Sequence, residues 1–307
     1  MHTYRYLLIY SLMVSLALTS CNGLAANAAL PVPQTETPTL LPTVSDPPAQ
    51  TVIPTSTQTS TPAFTPTPAW IAQGPGKLVC PILLYHHIAD SATDSRFYVS
   101  PGNFEAQIKL LNEWGYQTIP LSLLVEAITN GTELPPRPVI ITFDDGNIDV
   151  YTNAFPVMQK YGFTGMLYIV SNRLQADGYI SAGQIQEMAD AGWEVGSHSM
   201  SHAKLIKSSK DSLYAEVVQS RHNLEEALGV PVESFAYPDG LVKDAIVDYV
   251  HFAQYESAVG LGYTAEQGPG NLFNLQRREI KGEYDLKTFT LFLPWTEILE
   301  TSETATP

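Results

Sequence analysis

The sequence predicts an α/β fold, a distorted (β/α) barrel with fewer than eight βα units, and three observations lead there. From Lys77 onward, short apolar and β-branched runs recur. Amphipathic stretches of helical period alternate with them, about seven such pairs in roughly 220 residues. The unusual polar residues fall just past the carboxyl ends of the apolar runs, where parallel α/β folds keep their chemistry. An open doubly wound sheet would give the same alternation.

Leu78 to Tyr85 reads as the first strand. Ser100-Pro101 opens a helix to Trp114, because a serine N-cap followed by proline at the first helical position is a start signal. Leu121 to Asn130 is a second helix. Val139 to Phe143 is a short strand apolar on both faces, as a covered parallel strand should be. Asn153 to Tyr161 is helical up to Gly162, Thr164 to Val170 is a strand, and Ser181 caps a helix to Ala191. Trp193 to Gly196 is a strand, and Lys210 to Leu228 is a long helix closed by Gly229. Ser234 to Tyr237, Ser257 to Leu261 and Arg277 to Ile280 complete the strands. No internal repeat is present.

The first quarter of the chain has a different character. Residues 1–20 join a basic start at Arg5 to the apolar run Leu7 to Leu18 and small residues before Cys21, the pattern of a signal peptide with a lipobox. Cys21 would then be lipidated, leaving Cys80 as the only other cysteine, a small buried apolar residue. Residues 21–76 form a Pro/Thr-rich spacer too poor in large apolar groups to offset its ordering entropy. The catalytic domain is expected over 77–295, with a disordered tail at 296–307. The net charge of -15 excludes nucleic acid as a partner and disfavours electrostatic adhesion to anionic surfaces. A neutral polymer fits better, and membrane contact is expected through the lipid anchor alone, on a monomer.

Two constellations carry chemistry. Thr142-Phe143-Asp144-Asp145-Gly146 sets adjacent carboxylates at the end of an apolar strand. Neighbouring side chains there diverge unless the chain turns, which Gly146 permits. Two close carboxylates repel unless a cation sits beside them, so the pair suggests a metal ligand next to a base; an Asp-Gly turn is the plain alternative. After a later strand, His198-Ser199-Met200-Ser201-His202 sets two histidines four apart, a spacing that on one helical turn reaches a single ion. Asp145, His198 and His202 then give three protein ligands with an open position, the catalytic arrangement.

Those two motifs, in this order, resemble the signature of the polysaccharide deacetylase family, the chitooligosaccharide deacetylase homology domain. The likeness runs from about Pro81 to about Phe292 and includes Tyr161-Gly162-Phe163-Thr164-Gly165 and Gly192-Trp193-Glu194-Val195-Gly196. The resemblance implies Asp144 as general base, Asp145, His198 and His202 as metal ligands, and a distorted barrel fold. It implies one divalent metal ion, zinc first, with nickel, cobalt and iron compatible with the same donors. Ile82-Leu83-Leu84-Tyr85-His86-His87 is similar to the early Tyr-His element of biofilm poly-N-acetylglucosamine deacetylases. That makes His86 the general acid and Leu84 a wall of the acetyl pocket, with His87 pointing elsewhere. Ser234 to Gly240 resembles the family's third motif, where Tyr237 would face substrate and the Asp239 amide would bind the oxyanion.

Two departures stand out. The arginine that orients the catalytic aspartate in many members is absent from the Ser234 to Ala236 neighbourhood; Arg277 or Arg278 could substitute, though a surface position is the plainer expectation. Asp239 replaces the usual aromatic. The function implied is hydrolysis of N-acetyl groups on an extracellular N-acetylglucosamine polymer by an envelope-anchored or secreted lipoprotein. An O-acetyl esterase and a catalytically silent glycan-binding lipoprotein are the rivals.

Overall fold

A computed structural model describes residues 70–91 and 96–296. The expected signal peptide, Cys21, most of the spacer and nearly all of the tail lie outside the described residues. The spacer's far end is the exception. Residues 70–76 run along the domain, with Ile71 bridging Leu134 and the Gly76 amide donating to the Ile128 carbonyl.

Seven parallel strands close into a barrel: β1 (Ile82–Tyr85), β2 (Pro138–Phe143), β3 (Met166–Ile169), β4 (Glu194–Ser197), β5 (Ser234–Ala236), β6 (Ser257–Leu261) and β7 (Leu275–Glu279). Each strand pairs with its neighbour in sequence, and β7 returns to β1, with Arg277 opposite Ile82 and Glu279 opposite Leu84. Closure favours the distorted barrel over the open sheet. The expected first strand is divided at Cys80-Pro81: Leu78–Val79 pairs antiparallel with Glu266–Gln267, and only Ile82–Tyr85 enters the barrel. Cys80 is fully buried, and burial pushes its thiol pKa up.

Helices cover the barrel. Two precede β2: α1 (Pro101–Glu113), capped by Ser100, and α2 (Leu121–Asn130), ended by left-handed Gly131. The following ones are α3 (Phe155–Lys160), α4 (Ala182–Asp190) with a full Ser181/Gln184 capping box, α5 over 210–228 and α6 (Asp244–Phe252). Two of them carry π-helical turns, Val150–Ala154 before α3 and Tyr214–Gln219 within α5, an irregularity often found near functional sites.

Strand alternation sorts the interior from the exterior. Leu83, Phe143, Leu167 and Phe235 face outward and pack against the helices. Ile82, Ile140, Met166, Tyr168, Ala236, Val259 and Leu275 face inward, and α2 closes the amino end with Leu121, Leu124 and Ile128. Gly196 is demanded by this packing, because a Cβ there would lie 2.5 Å from the Tyr168 ring. The interior is thus apolar at the amino end and becomes polar upward, through Tyr168 and Arg277, to the carboxyl end.

Candidate active site

Every chemistry-bearing residue picked from the sequence borders one cavity of about 620 Å³ at the carboxyl ends of the strands. Asp144 follows β2 and is buried. Asp145, the next residue, takes a left-handed backbone with φ of 73°, and Gly146 continues the turn at 76°. This reversal lets two consecutive carboxylates serve one site despite strand alternation.

His198 follows β4 and is 2% exposed. Its Nδ1 lies 2.9 Å from the Ala236 carbonyl, which can only accept, so Nδ1 carries the proton and Nε2 keeps its lone pair for the cavity. Burial lowers its pKa, opposed by Asp144 and Asp145, and keeps the ring neutral. The helical-turn reading of the His198/His202 spacing is corrected: the segment is a loop, with Ser199 at φ of 67° and His202 at 60°. Glu216, buried in the π-turn of α5, holds that loop by accepting from the Ser201 amide and hydroxyl, while its carbonyl accepts from the Met200 amide.

The Asp145, His198 and His202 ligand atoms all lie within 4.8 Å of one another, and Asp145 Oδ1 is 3.8 Å from His202 Nε2. Two atoms each about 2.1 Å from a common ion stand at most about 4.2 Å apart, so a closure of a few tenths of an ångström suffices. A carboxylate, a neutral buried imidazole with a free Nε2 and a second imidazole fit a divalent cation. Arg173 also reaches the site, donating to Asp145 Oδ1 at 2.8 Å.

The expectation of a surface arginine is overturned at position 277. Arg277 is 1% exposed inside the barrel, and donates to Asp144 Oδ1 at 2.6 Å and Oδ2 at 2.8 Å. Two further donors go to the Gly260 carbonyl and Thr142 Oγ1, and its guanidinium lies over the Tyr168 ring. Burial alone would raise the Asp144 pKa; the Arg277 charge, helped by His198 and the hydrogen bonds, holds it down at about 2. Arg278, one residue on, points outward to Tyr263 and Phe292. One signal in the sequence could have found this: Leu275, Arg277 and Glu279 alternate along a strand, so an arginine shares the face of a core leucine.

His86 enters from β1. Burial lowers its pKa, with Asp144 and Asp145 opposing, and its buried Nδ1 has no hydrogen-bond partner among the described residues. The Phe97 ring meets it edge-on at 4.8 Å. Leu84 is buried and borders the cavity. His87 borders the same cavity, contrary to the expectation that it points away, and is held by Asp149 at 2.7 Å. Asp239, exposed at the rim, takes φ of 58° within the Pro238–Gly240 turn. Tyr237 is corrected as a substrate group: its ring belongs to the outer core, and its hydroxyl donates to the Phe273 carbonyl at 2.9 Å.

Comparison with known proteins agrees with this geometry. Residues 131–258, which include both motifs, match the family model for polysaccharide deacetylase. The chain is similar to the Bacillus subtilis protein YxkH, named as a polysaccharide deacetylase, at 27% identity over 264 residues, covering 86% of this chain and 87% of that one. It is 25% identical to a poly-β-1,6-N-acetyl-D-glucosamine N-deacetylase of Staphylococcus epidermidis, covering 59% of this chain and 65% of that enzyme, just under two thirds of its length. Among solved structures, the Streptococcus pyogenes deacetylase PplD shares the fold at a TM-score of 0.66 and 23% identity, covering 70% of this chain and 98% of that one. The barrel, its paired motifs and these likenesses define an enzyme of the carbohydrate deacetylase class. Residues 131–258 carry the polysaccharide deacetylase match, and over most of its length the chain is similar to a protein named for that family.

Proposed function

We propose that this chain hydrolyses N-acetyl groups on an extracellular N-acetylglucosamine-containing polysaccharide and releases acetate, using one divalent metal ion, zinc foremost. The observation that carries the reading is the meeting of Asp145, His198 and His202 in one cavity beside an arginine-clamped Asp144.

An acetamide is a poor acyl donor with a poor leaving group, so three things are needed: an activated water, a stabilised oxyanion and a proton for the departing nitrogen. Bound at Asp145, His198 and His202, a divalent ion supplies Lewis acidity toward water and the acetyl carbonyl. Asp144, ionised and fixed by Arg277, accepts the proton of the attacking water. The Asp239 amide donates to the oxyanion, an effect worth about 3 kcal/mol per donor in related acyl chemistry. His86, in its protonated form, donates to the amine nitrogen as the carbon–nitrogen bond breaks. Leu84 walls the acetyl methyl.

The early Tyr85-His86 element and the staphylococcal relative favour a poly-N-acetylglucosamine-like polymer. The basic, apolar and small-residue run ending at Cys21 supports an acylated protein held at the cell envelope, its domain displaced from the membrane by the Pro/Thr-rich spacer.

Acetate release from poly-N-acetylglucosamine, peptidoglycan and chitin oligomers, measured with metal analysis of the purified protein, tests the reading. The expected result is metal-dependent release from at least one of them. Full activity of rigorously metal-free protein would refute it, and release from O-acetylated xylan alone would select the ester reading. Replacing Cys21 by alanine should move the protein from the membrane fraction to the medium.

A further inference from the structure

An imidazole that delivers a proton is commonly aimed by a carboxylate or carbonyl on its second nitrogen. His86 has no such partner: its Nδ1 is buried and unpaired among the described residues. Asp149 holds the neighbouring His87. The acid must therefore be aimed through its backbone.

The structure supplies the means. Within nine residues of Asp144, the chain that leaves β2 sends three polar side chains across to the segment 86–88. Asn147, itself buried, donates through Nδ2 to the His86 carbonyl at 3.2 Å. Asp149 accepts the Ile88 amide at 2.8 Å with one oxygen and meets His87 Nδ1 at 2.7 Å with the other. Asn153, in the π-turn, donates to the Ile88 carbonyl at 2.8 Å. The His87 ring is further locked flat against Tyr98, with ring centres 4.1 Å apart and planes 3° apart. The main chain from the His86 carbonyl to Ile88 is thus pinned to the chain that follows Asp144 and Asp145, and on the other side the Asp144 amide donates to the Tyr85 carbonyl at 3.0 Å.

We propose that Asn147, Asp149 and Asn153 are positioning residues, a clasp that fixes His86 from β1 against the base and metal ligand from β2. This rests on the reading of His86 as the proton donor. The clasp makes one rigid unit of groups that arise about sixty residues apart in the chain, and a displacement of about 1 Å is enough to cost roughly 100-fold in rate.

The test compares an N-acetylglucosamine oligomer, whose amine must be protonated, with 4-nitrophenyl acetate, whose leaving group needs no proton. Asp149→Ala should lower kcat on the oligomer about 30- to 100-fold with KM nearly constant, while ester hydrolysis falls less than about 3-fold and bound metal is unchanged. Asp149→Asn, which keeps an acceptor for the Ile88 amide, should recover most of the loss. Asn147→Ala removes a single longer bond and should give a smaller change of the same kind, which keeps the test decisive if Asp149→Ala folds poorly. Parallel loss of amide rate, ester rate and metal would overturn the proposal, as would no change in any. His86→Ala is the control: if it lowers the amide-to-ester ratio and the clasp variants do not, the clasp alone fails; if it does not, the assignment of the acid fails first.

Discussion

At the carboxyl end of the barrel, Asp144 is buried, bonded at both oxygens by Arg277 and held ionised at a pKa of about 2. At the amino end, a smaller cavity of about 240 Å³ is bordered by Glu194, Glu233 and Glu256. There Glu194 accepts from the Leu121 amide at 2.6 Å and the Ser122 amide at 3.3 Å, capping α2, whose own N-cap residue is a proline without a capping side chain. Burial and the neighbouring carboxylates raise the pKa of Glu233. Acidic residues therefore lie at both ends, but the carboxyl end pairs them with a full positive charge and with histidines, whereas at the amino end Glu194 serves a helix terminus. A carboxylate becomes a tool of chemistry where the fold keeps it charged, dry and aimed.

Variants at each end would break or sharpen this contrast. The largest effect is expected from Asp145→Ala or His198→Ala, which should reduce acetate release more than about 1,000-fold and abolish stoichiometric metal binding. Retained metal in either variant would remove that residue from the ligand set. Arg277→Met comes next: it leaves Asp144 buried without its partner, so a loss of about 3–5 kcal/mol in chemical denaturation is expected, with kcat down at least about 100-fold. Arg277→Lys should recover part of the stability and little of the rate, because a lysine cannot make the paired bonds.

A smaller effect concerns pH. The folded pKa of Asp144 lies below its ordinary 3.8, so its pairing stabilises the fold above about pH 4 and is lost as the pH falls toward 2. About 2 kcal/mol of stability should disappear across that window in the wild type. In Arg277→Met that part of the acid dependence should vanish or reverse, and denaturant titrations from pH 5 to 2.5 would check it. The smallest effect is expected at the amino end. Glu194→Gln should cost about 1 kcal/mol through the weakened cap of α2 and leave kcat within about 2-fold. A kcat loss as large as that of Arg277→Met would erase the distinction between the ends.

Much of the site was legible because its markers are local. Asp144-Asp145-Gly146 and His198 to His202 are each contiguous, and strand ends are recognisable from apolar runs stopping at polar residues. The strand count also held, since β-branched runs and glycine stops are local signals. Boundaries moved where a tertiary partner intervened: Cys80-Pro81 divides the first strand because Leu78–Val79 pairs with Glu266–Gln267, and a π-turn starts three residues before the expected helix at Asn153. Tyr237, which the motif likeness sets toward substrate, is turned by strand alternation into the outer core.

The sequence by itself determined the class of fold, the motif pair and the identity of the groups able to bind a cation. Only the tertiary structure decided that the strands close into a barrel, that the inward arginine of β7 meets Asp144, and that Asn147, Asp149 and Asn153 reach back to β1. The reason is range. Helix and strand periodicities and turn residues act within a few positions, whereas Arg277 and Asp144 are 133 residues apart and come within hydrogen-bonding distance only when β7 closes on β1.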